Sequence, residues 1–199
     1  MRLIPALTAA ALAAITVLGT GTAAHAEQTS ITDKRADVLV TSFSSSDDDD
    51  YERLDAAASK KSGIDAKGVR FKHGKKSVTI TAKFSRLKSG STLYVEFYKP
   101  GRRSASFTLY GADGSSRAQV LDRDFDRACT AKLRTRNGKN GSITATVKRS
   151  CLDDMPKIRM AAAAYRFVPK GDDDITIYGD MLSSKKILTP EKSRLVAAS

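Results

Sequence analysis

The amino-acid sequence predicts an all-β fold: an antiparallel β-sandwich of Ig-like or jelly-roll-like type, with one short helix or loop insertion near the N-terminus. Three observations carry this expectation. Apolar and polar residues alternate over several short runs, Gly, Pro, Asp and Ser separate those runs, and two cysteines bracket a further alternating pair.

The chain starts with a segment that reads as a secretory signal. Arg2 supplies the charge, Leu3 to Leu18 an apolar run, and Ala24-His25-Ala26 a small-x-small cleavage site, so residues 1–26 are expected to be removed, leaving Glu27 first. Pro5, Thr8 and Thr16 interrupt a run shorter than the roughly 20 residues that span a bilayer, which favours a signal over an anchor. No later stretch is long or apolar enough to span. About 173 residues remain, one domain's worth. They divide into a polar segment (27–63), a β-sandwich core (64–180) and a polar, loosely attached tail (181–199).

Val38-Leu39-Val40 is the first strand candidate. From Tyr51 to Gly63 the acids lie at the start, the lysines at the end and a glycine after them, the polarity of a short helix, although its apolar face of Tyr51, Leu54 and Ala58 is thin. Val69 and Phe71, then Val78, Ile80, Ala82 and Phe84, alternate with polar residues around His73-Gly74-Lys75-Lys76, which describes a hairpin with His73 exposed at its tip. Leu93, Val95 and Phe97 repeat the alternation up to Pro100-Gly101, and Phe107, Leu109, Ala118 and Val120 flank a Gly111–Gly114 turn. For Ile158–Val168 the Ile, Met, Tyr, Phe and Val around Ala161–Ala164 favour a strand over a helix. Asp172–Asp174 then forms a turn before Ile175–Tyr178.

Cys129 and Cys151 share the parity of an apolar face formed by Ala131, Leu133, Ile143, Ala145 and Val147. In an exported protein with two thiols this predicts a cross-strand disulfide. Facing cysteines would pair Leu133 with Val147 and Lys132 with Lys148 around a Gly138–Ser142 loop, with Arg149 alone breaking the alternation. The opposite face carries Lys132, Arg134, Arg136 and Lys148. It is either a solvated face or an anion-binding strip.

Composition narrows the function. With 34 Lys and Arg against 22 Asp and Glu, the formal charge is +12, falling by one when Arg2 leaves with the signal. Such a charge favours solubility or anionic partners such as wall polymers and acidic polysaccharide. His73 is the only histidine left after cleavage, His-Glu-x-x-His and Gly-x-Ser-x-Gly are absent, and there is no tryptophan for sugar stacking. No catalytic residue, metal site or cofactor is expected. Asp47–Asp50 and Asp172–Asp174 lack the alternating spacing that wraps one Ca²⁺ and read as solvated loops. Tyr94 and Tyr98 flank Glu96 on one outward face, either as a shallow stacking platform or beneath a covering segment.

The strand pair Val69-Arg70-Phe71-Lys72-His73 and Ser77 to Phe84, the later Val147-Lys148-Arg149-Ser150-Cys151-Leu152 and Pro156-Lys157-Ile158-Arg159, together with the signal segment, resemble the uncharacterised secreted β-sandwich proteins common in actinobacteria. The resemblance spans about residues 64–168. It implies a fold and a compartment and carries no activity. The expectation is a secreted, extracellular or cell-wall-associated binding protein without enzymatic activity, with an anionic wall polymer or carbohydrate as partner. The alternatives are a hydrolase with converging carboxylates and a protease-inhibitor-like protein-binding module.

Overall fold

The computed structural model describes residues 26–33, 36–43, 51–170, 174–184 and 188–199. The expected signal segment before Ala26, the run Asp47–Asp50, and Asp172 and Asp173 lie outside the described residues. The strands are β1 (Glu27–Thr32), β2 (Leu39–Phe43), β3 (Glu52–Arg53), β4 (Ala66–His73), β5 (Ser77–Phe84), β6 (Arg86–Leu87), β7 (Ser91–Tyr98) and β8 (Phe107–Ala112). They continue with β9 (Arg117–Leu121), β10 (Arg127–Arg136), β11 (Gly138–Lys139), β12 (Ser142–Lys148), β13 (Lys157–Pro169), β14 (Ile175–Asp180) and β15 (Val196–Ala197).

The protein is all-β and antiparallel, as expected. Most strands follow one hydrogen-bonded order, β1-β4-β5-β12-β10-β9-β8-β7-β13-β14-β2-β3, with β15 added to β13, and β6 and β11 pair separately as a short two-stranded sheet. The inward positions of this curled sheet meet in one apolar core that includes Phe71, Phe84, Phe97, Leu109, Ile143 and Met160, all buried. The period-2 alternation fixes which side chains enter it, because a strand presents alternate residues to opposite faces. Among the described residues, no helix is long and apolar enough to cross a membrane.

The helix α1 is shorter than expected, Ala56–Ser62. Asp55 caps it by accepting from the Ala58 backbone N–H at 2.7 Å, and Gly63 closes it in the left-handed conformation after Lys60 and Lys61. Glu52 and Arg53 are extended instead, because Asp55 provides the cap. The strand over Ile158–Val168 is borne out as β13, the longest among the described residues. Its alanines have a packing reason. Ala163 pairs with Tyr94, and the missing bulk lets Tyr94 reach across to Tyr165 with ring centroids 6.2 Å apart.

Cys129 and Cys151 form the expected disulfide, with Cα atoms 5.8 Å apart. The register beside it is different. Leu133 pairs with Ala145, and Lys132 with Thr146 rather than Lys148, so the loop begins at Asn137 and ends at Gly141. The reason is that β12 ends at Lys148 and the chain turns into a 3-10 helix, Arg149–Leu152, which carries Cys151. Arg149 leaves the strand because its backbone N–H donates to the Lys76 carbonyl at 3.0 Å and its guanidinium to the Lys75 carbonyl at 3.0 Å. The repulsive Lys132–Lys148 facing pair therefore does not form.

Two further expectations are corrected. His73 is 1 % exposed, not a solvent-facing tip. It shares the inward parity of Val69 and Phe71, and the tail covers it, with its Nδ1 3.0 Å from the Val196 carbonyl oxygen. The described tail residues are docked, not loose. β15 pairs with β13, Val196 is buried, and the Ser193 N–H donates to the Met160 carbonyl at 2.7 Å.

Candidate functional site

The outward positions of the sheet divide into two surfaces of different chemistry. On the half formed by β1, β4, β5, β12, β10 and β9, the register lines up Lys72, Thr79, Thr146, Lys132 and Arg117 in one row across the strands. Arg70, Thr81, Thr144 and Arg134 form the next row, and Lys83, Ser142 and Arg136 a third. All the cations in these rows are exposed, as is Lys148 at the end of β12 opposite Ser77. Glu27, the only acid in the six strands, has the inward parity of Ile31.

The result is a lane with a hydroxyl floor and cationic walls. β5 and β12 lie side by side and contribute Ser77, Thr79, Thr81, Ser142, Thr144 and Thr146, and the Thr144 hydroxyl donates to that of Thr81 at 3.3 Å. Arg70 and Lys72 of β4 stand on one side, Lys132, Arg134 and Arg136 of β10 on the other, about 14 Å away at three strand spacings. The structure thus puts all four sequence-predicted cations on one face and adds Arg70, Lys72, Lys83 and Arg117, which no local pattern linked to them. The Arg136 guanidinium also donates to the Asn140 carbonyl at 2.7 Å, which ties this wall to the loop.

The second surface is aromatic. Tyr94, Tyr110 and Tyr165 come from β7, β8 and β13, and with Tyr51, Phe167 and Leu188 they line a groove of about 710 Å³. Tyr94 packs edge-on against Tyr110 at a centroid distance of 5.1 Å. Of the two expected platform residues only Tyr94 is in this groove. Tyr98 is 6 % exposed, covered by the tail, where Lys192 Nζ sits 3.9 Å above its ring. Glu96 accepts from the Tyr94 hydroxyl at 3.0 Å and also from that of Tyr98. Burial first and the Glu96 carboxylate next raise the pKa of both phenols, so both stay neutral donors.

A third group was not singled out by the sequence. Asp33, Asp37, Asp65 and Asp180 come from the ends of four elements and are all buried. The first oxygen of Asp33 accepts from the Ser183 N–H at 2.6 Å, Asp65 from that of Ala36 at 2.9 Å, and Asp180 from those of Ala66 at 2.8 Å and Leu182 at 3.2 Å. Burial foremost, with neighbouring carboxylates, holds Asp33 and Asp180 well above the usual carboxylate range. A sequence signal was present: Ile64-Asp65-Ala66 and Gly179-Asp180-Met181 are lone acids among uncharged neighbours at strand ends. Their convergence is set by topology, which brings β4 and β14 together without any local motif. Comparison with protein-family models, with curated proteins and with solved structures finds no match for this chain.

Proposed function

We propose that this chain is a secreted, non-enzymatic binding protein that holds an anionic cell-wall polymer or polysaccharide along the lane between β4 and β10. The observation that supports this reading is the segregation of charge: eight exposed cations around a floor of hydroxyls, with no acid pointing outward on six neighbouring strands. Cations set about 14 Å apart across neutral donors suit a polymer of repeated negative charge, which each wall would grip by charge and the floor by hydrogen bonds. Export rests on the signal-like residues 1–26, and the resemblance to secreted actinobacterial proteins points to the same compartment. In this reading the basic and aromatic halves of the sheet are the two layers of a sandwich-like curl around one core. The hydrolase alternative is weaker, because the carboxylates that do converge are buried beyond the reach of a polymer.

Sedimentation with purified cell wall tests the proposal. Replacing Lys132, Arg134, Arg136 and Lys148 with Gln should abolish binding. The same number of charges removed from the exposed loop residues Arg102, Arg103, Arg123 and Lys170 should leave it largely intact. Wild-type binding should also disappear near 1 M salt, where the screening length falls to about 3 Å. Equal losses in the two variants would mean that net charge alone is responsible. Binding that resists salt would exclude the lane. A second reading is favoured by the aromatic groove, which suits an uncharged glycan stacked on Tyr110. It predicts salt-resistant binding that Tyr110→Ala removes.

A further inference from the structure

We propose that Asp33, Asp37 and Asp180, with Asp65 beside them, form a binding site for a divalent cation of the size of Ca²⁺. One carboxylate oxygen from each of Asp33, Asp37 and Asp180 lies within 4.8 Å of the others. Ligands on opposite sides of a Ca²⁺ ion stand up to roughly 5 Å apart, given Ca–O distances of 2.3–2.6 Å, so the three oxygens fit one coordination sphere without rearrangement.

A second, independent observation concerns the other oxygens. Asp33 Oδ2 and Asp65 Oδ2 are buried and have no hydrogen-bond partner, although their residues are only 6 % and 1 % exposed. Each carboxylate is clamped by a backbone N–H on its first oxygen, which fixes the side chain while the second oxygen stays without a hydrogen bond. Asp65 stands outside this group of three but near enough to add its charge to the load on both Asp33 and Asp180. No Lys or Arg among the described residues reaches within 4.0 Å of Asp33, Asp65 or Asp180. The buried carboxylates of Asp33, Asp65 and Asp180 require protons or a cation, because an uncompensated buried charge is strongly unfavourable.

The donor set selects the ion. All of these donors are oxygens, which suits hard cations and leaves out the sulfur and imidazole chemistry that zinc prefers. Mg²⁺ binds at 2.0–2.1 Å and usually keeps several waters, which a buried site disfavours. The ion would link the loop after β1, the start of β2, the start of β4 and the end of β14, segments up to 147 positions apart in the chain. It would act as a non-covalent counterpart of the disulfide, which fastens the opposite part of the sheet order.

The test is thermal unfolding of the chelator-treated full chain at neutral pH and constant ionic strength, followed by circular dichroism, with calorimetric titration of CaCl₂ alongside. The expected result is a saturable rise of several degrees in Tm with a midpoint between about 0.1 and 1 mM, the range of extracellular calcium modules. One ion should bind per chain in the calorimeter, and MgCl₂ at the same concentrations should give a much smaller rise. Asp33→Asn and Asp65→Asn should each weaken the calcium response at least tenfold. A wild-type Tm that does not change up to about 10 mM CaCl₂, with no heat of binding, would overturn the proposal and leave protons as the compensating charge. An undiminished response in both variants would place the ion elsewhere. Should either variant fail to fold, the wild-type titration decides alone.

Discussion

Removing the disulfide should lower stability by an amount set by the loop it closes. Cys129 and Cys151 are 22 positions apart, and the chain-entropy relation gives about 3 kcal/mol at 25 °C for a loop of that length. Unfolding entropy of about 2.1 cal/mol/K per residue, over the 173 residues from Glu27 to Ser199, converts this to a fall in Tm of about 9 °C. The perturbation is the pair Cys129→Ser and Cys151→Ser, and the assay is thermal unfolding by circular dichroism, with reductant-treated wild type as a second route to the same state. The structure also predicts what should not change. Lys132 to Arg136 are held by five consecutive residue pairs to β12, and β12 by seven to β5, so the lane should persist below the melting transition. Polymer binding at room temperature should therefore stay within about twofold of wild type, a change of under 0.5 kcal/mol. A Tm change below about 3 °C would refute the entropic reasoning, because it would mean that the unfolded chain already holds the β10–β12 loop closed. Loss of binding at full folding would show that the disulfide sets the register of the lane and not only its stability.

The other predictions concern single residues. Gly68 has φ +142°, and a Cβ there would lie 2.4 Å from the Ile31 carbonyl oxygen, whereas Gly90 has φ +79° and open space around it. In urea unfolding Gly68→Ala should therefore cost more than Gly90→Ala, which should lose only the about 1–2 kcal/mol of left-handed strain. His73 is held neutral mainly by burial, donating through Nδ1 to Val196 while Nε2 has no partner, so its pKa lies below the ordinary 6.5. The unfolded chain takes up the proton first, so this contribution to stability is intact above about pH 6.5 and is lost as pH falls toward the lower folded value. The Tm difference between wild type and His73→Gln, followed through that window, should shrink on acidification; a constant difference would contradict the assignment. Glu96→Gln removes the carboxylate that raises the pKa of Tyr94 and Tyr98. Alkaline titration of phenolate absorbance should then show tyrosines ionising at lower pH than in wild type.

Much of the fold was legible because alternation reports burial directly. Val78, Ile80, Ala82 and Phe84 alternate with polar residues as one dry face and are all buried, and the β-branched and aromatic neighbours of Ala161–Ala164 mark that stretch as strand. The errors come from places where a local pattern meets a distant partner. His73 carries the inward parity of its strand, but a polar ring beside a glycine reads as a tip unless the tail strand that covers it is known. The disulfide was legible and its register was not, because Arg149 turns toward Lys75 and Lys76 of another hairpin. The acidic runs are conspicuous in composition, while Asp33, Asp37 and Asp180, with Asp65 near them, are isolated in sequence and meet only through the sheet order.

The lane shows the same limit from the functional side. Each of its strands displays its outward residues openly, and Lys132, Arg134, Arg136 and Lys148 were identifiable from parity alone. What parity cannot supply is adjacency. Thr81 and Thr144, 63 positions apart, become neighbours only because β12 inserts beside β5, and that single pairing turns two separate threonine runs into one floor and sets Arg70 and Lys72 against the cations of β10. A slip of β12 by one residue would send Ile143, Ala145 and Val147 outward and draw Ser142, Thr144 and Thr146 into the core, so the burial that stabilises the sheet also fixes the register of the lane. The same apolar residues thus hold the fold together and decide which hydroxyls and cations can meet a ligand.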